Sequence, residues 1–124
     1  MNINGITKAY LAGAAIAAYR IVKFDSADGT VIQAAAAADK SIGVTTDIPA
    51  ASGETVDVVK SGLSYVEYGG NVTRGDLLTA DSVGRAVTAA PSASANVRII
   101  GVAEASGVSG DIGSLTIAAS MLQG

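Results

Sequence analysis

Two stretches of the chain, IGVTTDIPAASGETVDVV (residues 42–59) and IGVAEASGVSGDIGSLTI (residues 100–117), follow the same pattern. Each begins with Ile-Gly-Val and runs through small residues to a Ser-Gly-acid turn, at residues 52–54 or 109–111. An apolar segment with alternating polarity follows, which predicts a half-buried β-strand. Repetition at a nearly constant spacing indicates a duplicated structural unit.

The repetition extends toward the N-terminus. Residues 13–22 align with residues 69–78, and Asp28-Gly29 aligns with Val83-Gly84, at offsets that drift between 55 and 58 positions. Small insertions in loops account for that drift. We therefore predict two copies of one unit of about 55 residues, at about 12–68 and 69–122, within a β domain at 12–124. An N-terminal arm at residues 1–11 precedes them.

Each unit is predicted to hold short strands joined by glycine-containing turns. Gly29 and Gly84 stand where a tight hairpin requires a positive φ angle. The alanine run Ala34–Ala38 favours helix by propensity, but it is too short to form one alone, so we predict a loop. Gly62–Tyr68 is predicted as one further strand between the copies. The fold class is mostly β, a single small barrel- or sandwich-like domain built from two pseudo-repeated β units.

The composition fits one domain with an aliphatic core. The chain has 124 residues, of which 49% are hydrophobic but only 4% aromatic. Burying a Val or Leu contributes about 1.5–3 kcal/mol, so a core of small side chains gains little per residue. Apolar area buried against a partner subunit would add to its stability.

The residues that are missing narrow the classes of function. The chain has no Cys and no His, which removes disulfides, thiolate nucleophiles, the usual zinc ligands and the usual general base. The net charge is −3 and no basic run is present, which argues against nucleic-acid binding. No signal peptide or membrane-spanning run is visible, so we predict synthesis in the cytoplasm and no membrane contact.

The candidate sites have simpler structural interpretations. Arg74-Gly75-Asp76 could be an adhesion signal, but its counterpart in the first copy lacks the triplet, so we predict a turn that opens a strand. The carboxylates are spread over predicted turns without calcium-loop spacing. The serines of Ser61-Gly62, Ser106-Gly107 and Ser109-Gly110 lie in predicted turns, with no histidine in the chain to activate them. We predict no catalytic, cofactor or metal site.

The two termini are the segments outside the repeat. Ile3, Ile6 and Tyr10 lie in the N-terminal segment, and Met121 and Leu122 lie at the C-terminal end. Such ends either fray or add a strand to a partner sheet. Glu67, in the predicted strand between the copies, is a further candidate for pairing with a neighbouring strand or a partner subunit.

Four stretches together carry a family resemblance: AGAAIAAYRIVKFDSADGTVIQAAAAADKSIGVT (residues 12–45), SGETVDVVKSG (52–62), VEYGGNVTRGDLLTADSVGRAV (66–87) and IIGVAEASGVSGDIGSLTIA (99–118). In combination the chain resembles the capsid decoration, or cement, proteins of tailed bacteriophages. Taken singly, each stretch is only a β-turn signature. The resemblance covers nearly the whole chain, from about residue 12 to 122.

The resemblance implies a non-enzymatic protein that binds the outer surface of a phage head and stabilises the expanded shell. The implied partner is the major capsid protein, with a homo-oligomer, preferably a trimer, and a place on the virion after synthesis in the bacterial cytoplasm. By analogy with the family, we expect Met1–Tyr10 to contact the capsid or a neighbouring subunit. The full set of predicted capsid or subunit contacts, which also draws on the sequence, is Asn2, Ile3, Ile6, Tyr10, Glu67, Tyr68, Met121 and Leu122. The alternatives are another virion component, such as a head-fibre base or a tail-associated β domain, or an adhesion or carbohydrate-binding module.

Overall fold

The computed structural model describes residues 5–91 and 96–123, and these residues form strands and turns without a helix. This part of the chain thus has no helix of the length and apolarity needed to cross a membrane. The strands are β1 (Thr7–Ala12), β2 (Ile21–Phe24), β3 (Thr30–Gln33), β4 (Ser41–Thr45), β5 (Thr55–Val59), β6 (Gly62–Glu67), β7 (Leu77–Ala80), β8 (Ala86–Thr88), β9 (Asn96–Ala103) and β10 (Ile112–Gln123).

The two halves have the same strand order. The first five strands close into a barrel in the order β1-β3-β2-β4-β5, with β5 antiparallel to β1. The last five form a sheet in the order β6-β10-β9-β7-β8. In the second unit, a parallel bridge between Tyr68 and Ala86 corresponds to the parallel β1–β3 pairing that closes the barrel in the first unit. The prediction of a mostly β domain with two pseudo-repeated units is confirmed.

The Ser-Gly-acid turns have the same hydrogen bonds in both copies. The Glu54 carboxylate accepts from the Ala51 N–H at 2.7 Å, and the Asp111 carboxylate accepts from the Val108 N–H at 3.0 Å. The glycine between serine and acid has a φ of 86° in the first copy and 93° in the second. The acid is therefore a turn residue in each copy, because it binds an otherwise free N–H group.

The glycines of the two Ile-Gly-Val motifs mark close approaches of backbone. A Cβ atom added at Gly43 would collide with the carbonyl oxygen of Val59, and one added at Gly101 would collide with that of Thr116. In both copies the contact joins the motif to the last strand of its unit. A side chain is excluded at this crossing, which explains why this motif is the clearest match in the sequence.

The boundaries of the copies differ from the prediction. β1 is part of the barrel, so residues 7–11 are not an arm. β6 occupies in the second unit the place of β1 in the first, so Gly62–Glu67 opens the second copy. The units are therefore β1–β5 and β6–β10. The sequence alignment began at the glycine-rich turns, one strand late, because β1 and β6 share an alternating pattern but few identical residues.

The core has two clusters, and one of them includes residues from both units. The first cluster fills the barrel; it contains Tyr10, Ala12, Ile16, Val22, Val31, Ala50, Val56 and Val58. The second joins Ile21, Ala34 and Val44 of the first unit to residues of the second such as Leu78, Ile100 and Leu115. Ile21 and Val22 are neighbours and both fully buried. Because side chains alternate along a strand, Val22 points into the barrel and Ile21 toward the second unit.

Gly101→Ala is expected to lower the free energy of unfolding by about 1–3 kcal/mol, because the new methyl group would force β9 away from β10. The control is Gly70→Ala, where the nearest atom, Val87 Cγ1, lies at 3.8 Å from the added Cβ. Urea unfolding of both variants gives the comparison. Equal midpoints for the two variants would contradict the proposed close approach.

Candidate functional site

The described N-terminal residues and the C-terminal half of β10 lie at the same end of the molecule. The Ile6 carbonyl accepts from the Lys60 N–H at 2.7 Å, and the Ile6 N–H donates to Ser61 Oγ at 3.0 Å. The pairing of β6 with β10 ends at Gly62 opposite Ile117. Residues 118–123 therefore continue past the start of β6, on the side where Ser61 holds Ile6. We call Ile6, Ser61 and residues 118–122 the terminal end.

The terminal end is apolar and has an open strand edge. Ile6 is 63% exposed and Met121 is 58% exposed, while Leu122 is partly exposed. Residues 118–123 carry no charge. After a shift of register between Ile117 and Ser120, residues 120–123 pair with β9 on one side, and no strand within residues 5–91 and 96–123 pairs with residues 118–123 on the other side. An uncharged open edge can accept a strand from another protein.

Of the predicted contact residues, the terminal end unites Ile6, Met121 and Leu122. Asn2 and Ile3 lie outside the described residues. Tyr10 is only 4% exposed, because alternation along β1 turns it into the barrel. There its ring meets Phe24 edge-on at 5.9 Å, and its hydroxyl accepts from Lys60 Nζ at 2.7 Å. The assignment of Tyr10 to an outer contact surface is therefore corrected: it is a core residue.

Tyr68 is also a core residue. Its side chain is fully buried, and its hydroxyl donates to the Ala105 carbonyl at 2.6 Å. The ring occupies space left free by Gly113, where an added Cβ would collide with it. Burial raises the pKa of Tyr68, and the nearby carboxylates of Asp111 and Asp76 raise it further. Tyr68 was predicted as a contact residue because the strand at Gly62–Tyr68 was taken to lie between the two copies. In the structure that strand belongs to the sheet of the second unit.

Glu67 lies between the two units. Its carboxylate contacts Arg20 Nη2 at 3.2 Å and Arg85 Nη1 at 3.9 Å, and Arg85 also pairs with Asp81 at 2.9 Å. Arg20 Nη1 donates to the Val83 carbonyl at 3.1 Å. Glu67 thus pairs with neighbours in its own chain, which is one of the two alternatives that its position in a predicted strand left open.

The Arg74-Gly75-Asp76 triplet forms a turn before β7, as predicted. Gly75 has a φ of 92°, and the Asp76 carboxylate accepts from the Thr73 N–H and from Thr88 Oγ1, each at 2.9 Å. Asp76 is engaged within the domain rather than presented to a receptor.

A cleft at the junction of the units escaped the sequence analysis. It encloses about 290 Å³ and is lined by Tyr19, Thr45, Thr46, Asp47, Val59, Leu63, Ser64 and Tyr65. Tyr19 has a φ of 59°, the only positive φ among non-glycine residues of the described chain, and it aligns with Gly75 of the second copy. A bulky residue in this conformation costs on the order of 1–3 kcal/mol. The mismatch of a tyrosine against a glycine in the repeat was the signal available in the sequence.

No group of three or more carboxylates in the described residues converges to hold a metal ion. The fold is a duplicated β module with exposed apolar side chains at the terminal end. A family model described as phage cement protein matches residues 1–117, and the chain belongs to that family. The predicted resemblance and the capsid-binding structural role are thereby confirmed.

A solved structure supports the fold. The chain is similar to the N base of head fiber gp8.5 in bacteriophage phi29, with a TM-score of 0.69 and 22% sequence identity. The match covers 97% of this chain and 99% of that chain. At this identity the similarity shows a shared fold. No curated protein matches the sequence.

The stability of the domain is expected to fall at high pH partly through Tyr68. Because its pKa is raised on folding, its contribution is complete below the unfolded value of about 10 and is lost as the pH rises through the folded value. At neutral pH, Tyr68→Phe removes the hydrogen bond to the Ala105 carbonyl and should lower the free energy of unfolding by about 1 kcal/mol. The difference in the free energy of unfolding between the variant and the wild type should shrink above pH 10.

Urea unfolding from neutral to alkaline pH measures that difference. Tyr65→Phe is the control, because it removes a hydroxyl from an exposed ring and should preserve the wild-type decline. A constant difference between wild type and Tyr68→Phe at all pH values would refute the role of Tyr68.

Proposed function

We propose that this protein binds the outer surface of an expanded phage head, on the major capsid protein, and stabilises the shell against internal pressure. The family match is the observation that carries this proposal. The fold is suited to it, because a rigid β module can contact several neighbouring capsid subunits at once. Synthesis in the bacterial cytoplasm and a final place on the outside of the virion follow from the same proposal.

The terminal end is the proposed attachment surface. Ile6 and Met121 expose large apolar side chains there, and the edge of β10 beyond Ile117 offers backbone groups that pair with no strand within residues 5–91 and 96–123. Burial of apolar area and strand addition both favour binding to another protein. Tyr10, Glu67 and Tyr68 take no part, because the barrel and the junction between units engage them.

A homotrimer is the proposed form on the head. The core is built from small aliphatic side chains, so apolar area buried between copies would add substantially to stability. Three linked attachment surfaces would also convert weak single contacts into strong attachment, because the second and third contacts form at high effective concentration.

The base of a head fibre is the second candidate function. The similarity in fold to the phi29 head fibre base, over 97% of this chain, favours it. Both roles place the domain on the head, and they differ in whether further fibre material extends from it.

Met121→Glu is expected to weaken binding to expanded, undecorated heads by at least about tenfold, because the charge would be buried without a partner. The matched control is Val108→Glu. Val108 is 55% exposed, close to the 58% of Met121, but it lies before the opposite end of β10. Co-sedimentation with the heads measures the affinity, and thermal unfolding checks that both variants fold.

Equal affinity of the two glutamate variants, both folded, would contradict the attachment surface while leaving head binding intact. Failure of the wild-type protein to sediment with the heads would contradict the proposed function itself. Sedimentation equilibrium tests the oligomer, and a trimer mass for the protein released from heads is the expected result.

A further inference from the structure

The cleft between the units contains a tyrosine, Tyr19, in a backbone conformation that favours glycine. Tyr19 adopts a strained left-handed conformation in a position that the second copy fills with Gly75. Its backbone is held on both sides: its N–H donates to the Thr46 carbonyl and its carbonyl accepts from the Glu67 N–H, each at 3.0 Å. A glycine would make both bonds without strain. The turn itself therefore does not need the tyrosine side chain.

The cleft is formed by elements of both units. One wall comes from the end of β4 and the residues after it, Thr45 to Asp47, and the other comes from Leu63 to Tyr65 on β6. Tyr65 is 58% exposed and Leu63 is 45% exposed, although both line a concave surface. Exposed aromatic and aliphatic side chains in a concavity with a few polar groups are typical of a ligand site.

The lining selects the class of ligand by its chemistry. It contains no Lys or Arg, and the Asp47 carboxylate takes no part in the four ion pairs of the described residues. An anionic ligand is therefore disfavoured. A purely apolar ligand would displace water from the Thr46 hydroxyl and the exposed Asp47 carboxylate without replacing its hydrogen bonds. A neutral molecule with one apolar face and many hydroxyl groups satisfies the whole lining.

We propose that the cleft binds a sugar ring of a neutral carbohydrate. The C–H face of a pyranose is apolar and stacks on aromatic rings, here those of Tyr19 and Tyr65. The ring hydroxyls donate to the Asp47 carboxylate and exchange hydrogen bonds with the Thr46 hydroxyl. The volume of about 290 Å³ accommodates a monosaccharide unit, with an open side through which a longer chain extends.

The site does not depend on the attachment surface. The cleft is lined by residues from the turn before β2, the ends of β4 and β5, and β6, whereas the terminal end consists of Ile6, Ser61 and residues 118–122. A carbohydrate site on the free protein can therefore be tested without heads, and its failure would leave the proposed capsid role untouched.

Titration with sugars, followed by the amide signals of the labelled protein in solution, tests the proposal. The probes are glucose, galactose, mannose, N-acetylglucosamine and their disaccharides, each at millimolar concentration. At least one is expected to shift the signals of residues 45–47 and 63–65. Tyr65→Ala should weaken that binding by about tenfold, the loss expected for one aromatic stacking contact.

Tyr19→Gly separates a binding role from a structural one. The variant relieves the strained backbone, so its melting temperature should equal or exceed that of the wild type, while its affinity for the sugar falls at least about tenfold. The control is Leu77→Ala, an exposed residue on β7 outside the cleft, which should bind the sugar as the wild type does.

Three results would overturn the proposal. The first is that no probe shifts the cleft signals. The second is that choline shifts them and the sugars do not, which would indicate a cation held by the two aromatic rings and Asp47. The third is that Tyr19→Gly melts at a lower temperature and binds the sugar unchanged, which would assign the tyrosine to folding.

Discussion

The junction between the two units is the constraint on which the rest of the structure depends. The Ile21 N–H donates to the Gly84 carbonyl at 2.7 Å, and an added Cβ on Gly84 would lie 2.8 Å from the Ile21 carbonyl oxygen. The hairpin turn of the second unit thus reaches the backbone of β2 in the first. Buried Ile21 adds its side chain to the core of the second unit, and the ion pairs of Glu67 with Arg20 and Arg85 cover the contact. The duplicated halves therefore behave as one domain, because neither can bury this surface alone.

The sequence predicted the features that leave a local mark. Backbone geometry requires glycine at the hairpin turns, and also at Gly43 and Gly101, where the strand of each Ile-Gly-Val motif approaches the last strand of its unit. The duplicated unit and the β class could be inferred from these glycines. The strand predicted at Gly62–Tyr68 is present as β6, where Leu63 and Tyr65 are exposed and Val66 is buried. What escaped prediction depends on contacts distant in sequence. Whether a segment such as β1 is a free arm or a strand of the barrel depends on its pairing with β5, nearly fifty residues later in the chain.

The same distinction, between features visible in the local sequence and features set by distant contacts, applies to the candidate surfaces. Met121 was predicted as a contact residue because it is apolar and lies outside the repeat, whereas the burial of Tyr10 follows from barrel closure and that of Tyr68 from space left by Gly113. The cleft arises only where the second unit meets the first, so no single stretch of sequence contains it. Attachment through the terminal end and ligand binding in the cleft would use different parts of the domain, which makes both functions compatible in one molecule.

A cryo-electron microscopy reconstruction of expanded heads incubated with the purified protein tests the central claim most directly. The account predicts added density on the outer surface, at positions of three-fold or quasi-three-fold symmetry, with the C-terminal end of β10 toward the shell and the Ser-Gly-acid turn before β10 away from it. Heads without added outer density would contradict capsid binding. Density with the turn at residues 109–111 against the shell would contradict the terminal end as the attachment surface.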